Sequence, residues 1–344
     1  MNELACDSIN NGICFNNCKT TSITYCTLTN DANGLGWPNV IENYDGSPID
    51  WDKFFESRER EKKLIAEGTP RKECAGCSQI SLKPKTDHRK IHYILLSTWQ
   101  VCNSDCVYCL GHAPVVPVDS PNYQKHHDRW IEPYDVFAIV KDMVEKDILD
   151  KDAIIDFAGG EPTLYPRFNE LLKFFVDNGY KNIIIHTNAI QYAPAIEYGI
   201  KNDAVSLLIS IDAGTKGMHE KVKRVKSYDA VWKNFKKYSS ARKKDFSCNL
   251  GTKYVVIPGM NDSKREVEIW LKESKKNGAT KAVLNVYNQL LNELNYKEDL
   301  LKKLIELAEF AKEKAQKLNI YLQLYPNYTA VYAAAKRVCS DSNQ

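Results

Sequence analysis

The sequence predicts an α/β protein: a partial (β/α)6 TIM-like barrel with a small N-terminal Cys-rich hairpin-helix module. Apolar runs alternate with amphipathic helices from residue 90 onward, which is typical of βα units. Six of the eleven cysteines fall within the first 89 residues, where this alternation is missing. We therefore predict a Cys-rich module over residues 1–89, the barrel over 90–290, and a C-terminal helix, strand and tail over 291–344.

The predicted strands are near-continuous apolar runs, as expected for parallel strands buried on both faces. The first two cover residues 91–97 and 153–157, and the later ones cover 182–187, 204–211, 252–257 and 282–286. Amphipathic helices lie between them; one carries Val136, Val140 and Val144 at helical spacing. Six such units predict an open barrel whose active site lies at the carboxyl ends of the strands. A long helix over about 297–317 and a strand over 320–324 follow.

Composition and charge exclude several classes of function. The chain has 344 residues, 43% hydrophobic and 26% charged, which is ordinary for a globular protein. Its net charge of +3 is nearly balanced, so we expect no nucleic-acid partner. No apolar run reaches the ~18 residues of a membrane span, and the N-terminus does not resemble a signal peptide. We therefore expect a cytoplasmic protein with no membrane contact, whose cysteines bind metal rather than form disulfides.

The most informative motif is a Cys-rich loop directly after the first barrel strand. Cys102, Cys106 and Cys109 are separated by three and two residues. Three thiolates cannot complete a four-sulfur site, so one iron of a four-iron cluster on this loop would stay open to a small chelating molecule. The alternative is a zinc loop, for which His112 could supply the fourth ligand.

A second motif follows the second barrel strand and consists of Gly159, Gly160, Glu161 and Pro162. Two glycines let a backbone approach a ligand closely, and Pro162 fixes the turn that leaves the strand. Taken alone, this motif could also be an ordinary Gly-Pro turn.

Together and in this order, the two motifs resemble the radical S-adenosylmethionine (SAM) superfamily, whose signature is C-x3-C-x2-C followed by G-G-E-P. The resemblance implies a [4Fe–4S] cluster on Cys102, Cys106 and Cys109, with SAM chelating the open iron through its amino and carboxylate groups. It implies that Tyr108 lies near the adenine and that the glycine motif holds the SAM amino group. One electron from the cluster would then cleave SAM and release a 5′-deoxyadenosyl radical.

The resemblance also implies further SAM contacts at the ends of the later strands. Polar residues stand at the ends of the third and fourth strands: Thr187, Asn188, Ser210 and Asp212. In relatives, an Arg after the fourth strand pairs with the SAM carboxylate. Arg224 is the candidate here, with Lys223 or Lys221 as alternatives.

The N-terminal cysteines follow a different pattern. Residues 13–17 and 22–26 predict a hairpin, and a charged helix over about 50–67 follows it. Cys74 and Cys77 come next, and a C-x2-C spacing bends two thiolates onto one metal. A zinc ribbon that stabilises a small module is one interpretation of this pattern.

This order of elements resembles the SPASM/Twitch auxiliary-cluster modules of radical SAM enzymes, although those modules normally follow the barrel. The resemblance implies a second, auxiliary [4Fe–4S] cluster. Its predicted ligands are Cys6, Cys26, Cys74 and Cys77, with Cys14 or Cys18 as alternatives to Cys6.

We therefore predict a radical SAM enzyme that abstracts a hydrogen atom from a substrate, leading to oxidation, cross-linking or another C–H functionalisation. A peptide, a carbohydrate or a small metabolite could be the substrate, and flavodoxin or ferredoxin could be the electron donor. One alternative is a radical SAM epimerase or activase in which a cysteine returns the hydrogen atom. Cys339 in the tail is then the candidate catalytic donor. A second alternative is a non-catalytic zinc-binding scaffold.

Overall fold

Parallel strands joined by helices make up most of the structure, as the alternation in the sequence predicts. The computed structural model describes residues 2–16, 23–25, 39–41, 44–75, 77, 79–84, 89–97, 101–109, 113–114, 134–287, 298–325 and 328–334. The chain divides into two compact units. The first comprises Met1–Val101 and Val115–Ile184, and the second comprises Cys102–Pro114 and Ile185–Gln344. These units do not follow the boundaries predicted at 89/90 and 290/291, and the division into three regions stays a prediction.

The first unit begins with short strands and contains the first two strands of the predicted barrel. Its elements are β1 (Asn2–Cys6), α1 (Asp7–Asn11), β2 (Gly12–Asn16), β3 (Ile23–Thr24), β4 (Asn39–Ile41), α2 (Trp51–Ala66), β5 (Ile80–Pro84), β6 (Ile91–Ser97), α3 (Val136–Glu145), β9 (Leu149–Phe157) and α4 (Phe168–Asp177). Two short strands, β7 (Val101–Cys102) and β8 (Ala113–Pro114), lie between β6 and α3 in the chain.

The strands of this unit follow the order β9, β6, β2, β3, β4, while β1 and β5 form a separate antiparallel ribbon. The predicted hairpin is confirmed, since β2 and β3 pair antiparallel with Cys14 opposite Thr24. The sequence did not predict that β2 also pairs parallel with β6. This pairing buries Ile13 and Phe15 completely, so the N-terminal hairpin extends the sheet of the barrel strands.

The second unit repeats the βα pattern. Its elements are β10 (Ile183–Thr187, which begins in the first unit), α5 (Pro194–Lys201), β11 (Val205–Ser210), α6 (Lys216–Lys223), α7 (Tyr228–Ser240), β12 (Leu250–Val256), α8 (Lys264–Lys276), β13 (Lys281–Val286), α9 (Glu298–Lys317) and β14 (Tyr321–Leu324). Strands β11, β12, β13 and β14 pair parallel in this order. The predicted fold class is confirmed: the protein is α/β with a parallel sheet, consistent with a partial TIM-like barrel.

Alternating burial along the strands separates a helix-covered face from the opposite face. Leu207 and Ile209 of β11 are almost completely buried, whereas Leu208 and Ser210 between and after them are only half-buried. On β12, the rings of Tyr254 and Trp270 of α8 pack with centroids 5.1 Å apart. The helices therefore cover one face, and the half-buried residues lie on the other face. Within the described ranges, no helix combines the length and the apolar character that crossing a membrane requires.

Candidate functional site

The three cysteines of the C-x3-C-x2-C motif lie on one loop of the second unit, the Cys loop (residues 102–109). The N–H of Asp105 donates to the Lys223 carbonyl at 3.1 Å, and the N–H of Val107 donates to the Val222 carbonyl at 3.0 Å. These carbonyls belong to the last turn of α6, where carbonyl groups lack partners within the helix. The end of α6 therefore fixes the loop backbone.

Nitrogen donors surround the Cys102 thiol, which is buried. The N–H of Ser104 lies 3.4 Å from its Sγ, and the Asn188 side-chain Nδ2 lies 3.6 Å from it. Asn188 also donates to Asn103 Oδ1 at 2.6 Å. Hydrogen bonds of this kind stabilise a thiolate and modulate iron–sulfur centres. The structure thus brings Asn188, a residue proposed from the sequence, to the Cys loop.

A polar cluster connects the loop with two buried side chains. It consists of Tyr108, which belongs to the loop and is half-buried, and of the buried Asp212 and Lys223. The Tyr108 hydroxyl donates to Asp212 Oδ2 at 2.6 Å, and Lys223 forms an ion pair with the same carboxylate. The Val255 N–H donates to Asp212 Oδ1 at 2.7 Å. Asp212 is 0% exposed and Lys223 is 2% exposed, so this ion pair is almost sealed from solvent.

The protonation states of the three residues in this cluster depend on one another. Burial raises the pKa of the Asp212 carboxyl, but Lys223 and Lys253 outweigh it and hold the pKa below its usual range. Burial lowers the pKa of Lys223, and the Asp212 carboxylate overcomes this effect and raises it. Burial, followed by the charge of Asp212, raises the pKa of Tyr108 well above its usual value. Lys223 and Asp212 therefore form a charged pair, beside a neutral Tyr108.

Backbone geometry holds Asp212 at the end of β11. Its φ of 57° lies in the left-handed region that favours glycine. The N–H groups of Ile211 and Asp212 both donate to the Lys253 carbonyl, at 3.0 and 3.2 Å. Asn261, which is fully buried, donates through Nδ2 to the Asp212 carbonyl at 2.8 Å. Both carboxylate oxygens of Asp212 have partners within the protein, so Asp212 holds Tyr108 and Lys223, and its contact with SAM stays a prediction.

Lys223 and Arg224 have different surroundings although they are neighbours. Arg224 follows the last residue of α6 with a left-handed φ of 54° and is 56% exposed. It pairs with Asp105, also more than half exposed, at 3.2 Å. Of the basic residues that the sequence offered for this position, Lys223 is therefore the one that lies inside the site.

His219 supports the same strand end and was not identified from the sequence. Its Nδ1 lies 3.1 Å from the Ile211 carbonyl, and its Nε2 lies 3.0 Å from Ser227 Oγ. Burial and the charge of Lys223 lower the pKa of His219 to about 4. His219 is therefore neutral at neutral pH and links the strand end before Asp212 to the start of α7.

The Gly-Gly-Glu-Pro motif lies in the first unit, directly after β9. The N–H of Glu161 donates to the Val101 carbonyl at 2.7 Å, which ties the motif to the residue before Cys102. Gly159 has a φ of 101°, a conformation that side chains disfavour. The buried Glu161 carboxylate accepts from the Thr163 hydroxyl at 2.7 Å and from its N–H at 3.2 Å. Pro162 then begins a short 3₁₀ turn.

Three of the N-terminal cysteines lie near one end of the β1–β5 ribbon. Cys6 on β1 pairs in register with Ile80 of β5. The N–H of Ile80 donates to the Cys77 carbonyl, and the N–H of Cys77 donates to the Cys74 carbonyl, both at 3.1 Å. Strand register thus connects Cys6 with the C-x2-C pair.

Cys14 has a different position, in the middle of the sheet. It is 1% exposed and is in register with Thr24 of β3 and Leu95 of β6. The other proposed cysteines, Cys18, Cys26 and Cys339, lie outside the described residues, as does His112.

The chemistry of the Cys loop fits an iron–sulfur cluster that leaves one iron open. The loop offers three thiols, and the sulfur of Cys102 faces two nitrogen donors. The charges of the motif cysteines also act to raise the pKa of the Lys223 and Lys253 ammonium groups, so both cations are electrostatically coupled to the loop. A cluster bound to three thiolates is anionic and suits these surroundings. Over the described ranges, no three Cys, His, Asp or Glu side chains are already gathered as metal ligands. The loop presents the thiols, and ligation would draw them together.

Comparison with known proteins agrees with this chemistry. Residues 96–269 match the model of the Radical SAM superfamily. GTP 3′,8-cyclase from Clostridium botulinum (strain Okra) is 28% identical over 189 residues, which are 55% of this chain and 54% of that protein. The S-adenosyl-L-methionine-dependent tRNA 4-demethylwyosine synthase of Methanocaldococcus jannaschii is 26% identical over 145 residues, 37% of this chain and 44% of that protein. The chain thus spans about half the length of the curated relatives it matches.

Similarity to a solved structure supports the fold. The crystal structure of Streptococcus suis SuiB bound to the precursor peptide SuiA covers 87% of this chain, with a TM-score of 0.51 and 13% sequence identity. The matched part is 57% of the SuiB chain, and at this identity the likeness shows the fold alone. The family model covers just over half of the sequence and includes both motifs of the site. The chain therefore belongs to the radical SAM superfamily of enzymes.

Proposed function

We propose that this protein reductively cleaves SAM and uses the 5′-deoxyadenosyl radical to abstract a hydrogen atom from a substrate C–H bond. The observation that carries the proposal is the Cys loop, which presents three thiols on a backbone held by the end of α6. When bound to Cys102, Cys106 and Cys109, a [4Fe–4S] cluster supplies the electron for this cleavage.

The residues that the two motifs and the strand ends supply have separate roles in this proposal. Asn188 and the Ser104 N–H stabilise the Cys102 thiolate. Asp212 holds the Tyr108 side chain, which keeps the ring beside the second and third cysteines, where the adenine of SAM would bind. Gly159 permits the backbone to turn sharply after β9, so that peptide groups rather than side chains meet the SAM amino group. Thr187 and Ser210 complete the proposed set of SAM contacts. For the basic contact, the burial of Lys223 favours this alternative over Arg224, which is 56% exposed and pairs with Asp105.

We further propose an auxiliary [4Fe–4S] cluster on Cys6, Cys26, Cys74 and Cys77. The register of β1 and β5 supports this proposal, because it connects Cys6 with Cys77 although 70 residues separate them in sequence. The position of Cys14 within the sheet favours Cys6 over Cys14 as a ligand.

The substrate class that we propose is a peptide, a carbohydrate or a small metabolite, whose C–H bond is oxidised, cross-linked or otherwise functionalised. An auxiliary cluster near the substrate could accept the outgoing electron, which favours a net oxidation. A flavodoxin or ferredoxin would supply the electron for SAM cleavage.

Measurement of 5′-deoxyadenosine tests the proposal directly. The full-length protein is reconstituted with iron and sulfide under anaerobic conditions, reduced with dithionite and given SAM. We expect 5′-deoxyadenosine from the native protein and only background from Cys106→Ala, since two thiolates cannot hold the cluster in place.

Cys248→Ala is the matched control. Cys248 is half-buried outside the Cys loop, and burial followed by the charge of Asp203 raises the pKa of its thiol to about 11. This variant should retain SAM cleavage. Normal 5′-deoxyadenosine production by Cys106→Ala would contradict the proposed function.

A further inference from the structure

Lys253 lies in the middle of β12, and its side chain projects from the face opposite to the helices. The two flanking residues face α8: Thr252 Oγ1 lies 2.7 Å from Ser274 Oγ, and the Tyr254 ring packs on Trp270. Because side chains alternate along a strand, Lys253 points the other way. Ser210 of β11 and Val283 of β13 are its partners in register and share its face.

Two lysines, Lys223 and Lys253, act on the single Asp212 carboxylate. The Asp212 carboxylate binds Lys223, Tyr108 and the Val255 N–H. Lys253 is half-buried, and within the described part of the chain its ammonium forms no ion pair or hydrogen bond. One carboxylate therefore serves two lysines: Asp212 forms its ion pair with Lys223, and its charge also acts on Lys253, which has no ion-pair partner of its own among the described residues.

The Cys loop lies within electrostatic range of this ammonium. The strand of Lys253 is tied to the loop through Asp212, whose N–H donates to the Lys253 carbonyl and whose carboxylate accepts from Tyr108. Burial and the charge of Lys223 lower the pKa of Lys253, and Asp212, Cys106 and Cys109 act in the opposite direction without outweighing them. The two thiols of the C-x2-C half of the motif are therefore electrostatic neighbours of Lys253.

We propose that the positive charge of the Lys253 ammonium raises the reduction potential of the iron–sulfur cluster bound by the Cys loop. The inference rests on the proposed function, because it requires that cluster. One-electron reduction adds a negative charge to the cluster, and a fixed positive charge nearby stabilises the reduced state more than the oxidised state. Lys223 has a smaller effect on the potential, because the adjacent Asp212 carboxylate balances its charge.

The test is a redox titration of the reconstituted full-length protein, followed by electron paramagnetic resonance (EPR) with no SAM present. The signal of the Cys-loop cluster is the one that is missing from the variant in which Cys102, Cys106 and Cys109 are all replaced by Ala. Lys253→Met removes the charge and keeps a long, flexible side chain. We expect its equilibrium constant for reduction to fall roughly tenfold, which is about 59 mV for a one-electron couple.

Two further variants separate this charge effect from packing. Lys253→Arg keeps the positive charge and should restore most of the native potential. Lys281→Met is the matched control. Lys281 is also half-buried and lies on the same face, but it is the first residue of β13, two residues before the register partner of Lys253. Burial alone lowers the pKa of Lys281, and no thiol acts on it. This control should titrate at the native potential.

The inference and the proposed function fail in different ways. If native protein forms no cluster on the Cys loop, the proposed function fails. If Lys253→Met has full iron and sulfide content and titrates at the native potential, the inference is overturned and the proposed function stands. An equal shift in Lys281→Met would also overturn it, as a general effect of net charge. Lys253→Gln is the second neutral variant, used if the Met variant loads no cluster.

Discussion

The Cys loop of the second unit and the N-terminal cysteines of the first unit are connected within their regions by different means. In the Cys loop, three cysteines lie within eight residues, and the carbonyls of Val222 and Lys223 fix the backbone that carries them. In the N-terminal region, Cys6 and the pair Cys74 and Cys77 are far apart in sequence and meet through a two-stranded ribbon.

This difference indicates how far the stability of each region depends on metal binding. The Cys loop is held by hydrogen bonds to a helix end and, through Tyr108, by a buried ion pair, so contacts within the protein support its backbone. A two-stranded ribbon has little stability of its own. Metal binding by Cys6, Cys74 and Cys77 would therefore also act as a structural link in the N-terminal region.

The largest expected effect comes from removing the C-x2-C pair. Cys74→Ala/Cys77→Ala should lose about four irons, the content of one closed cluster, and should still cleave SAM without coupling to substrate. Iron, sulfide and 5′-deoxyadenosine measurements on the reconstituted protein check both parts. Native iron content in this variant would break the comparison, because the N-terminal cysteines would then hold no cluster.

The second prediction concerns the ion pair behind the Cys loop. Lys223→Met removes the ion-pair partner of the buried Asp212 carboxylate and should lower the free energy of unfolding by about 3–5 kcal/mol. Asp212→Asn/Lys223→Met removes both charges and should recover part of this loss. Urea unfolding of protein that has not been reconstituted measures both variants.

Arg224→Ala is the control for this prediction. It breaks an ion pair in which both side chains are more than half exposed, so the expected loss is below about 1 kcal/mol. Equal losses of unfolding free energy in Lys223→Met and Arg224→Ala would contradict this prediction, because the buried pair would then contribute no more to stability than the exposed pair.

A third prediction uses the pH dependence of stability. The pKa of His219 is lowered from 6.5 to about 4 in the folded state, so the unfolded chain binds more protons between these values. Stability should therefore fall as the pH drops from 6.5 towards 4, by roughly 3 kcal/mol for this group. His219→Gln should show a flatter profile in this window, measured as the difference between the two unfolding curves. Parallel curves would contradict the buried, neutral state of His219.

Local patterns in the sequence predicted most of the elements. The charged helix expected over about 50–67 is α2 (Trp51–Ala66), and the long helix expected over about 297–317 is Glu298–Lys317. The motif cysteines are predicted by their spacing and Asn188 by its position at a strand end, whereas Tyr108 is predicted by the resemblance to the superfamily. The parallel pairing of β2 with β6 could not be predicted in this way, because it joins segments about 80 residues apart.

The positions of the basic residues in the site could not be predicted from local sequence patterns either. Lys223 and Arg224 stand in one basic run, and only the end of α6 and the left-handed turn at Arg224 decide which of them is buried. Lys253 interrupts an apolar strand and carries no motif. Its importance follows from the register with Ser210 and Val283, which depends on tertiary structure.

EPR of the dithionite-reduced protein, recorded with and without SAM, tests the central claim most directly. The account predicts a [4Fe–4S] signal that SAM alters, because SAM binds the iron left open by Cys102, Cys106 and Cys109. This SAM-sensitive signal should be absent when the three cysteines are replaced by Ala, whereas Cys248→Ala should keep it. A reduced cluster signal that SAM leaves unchanged in the native protein would contradict the account.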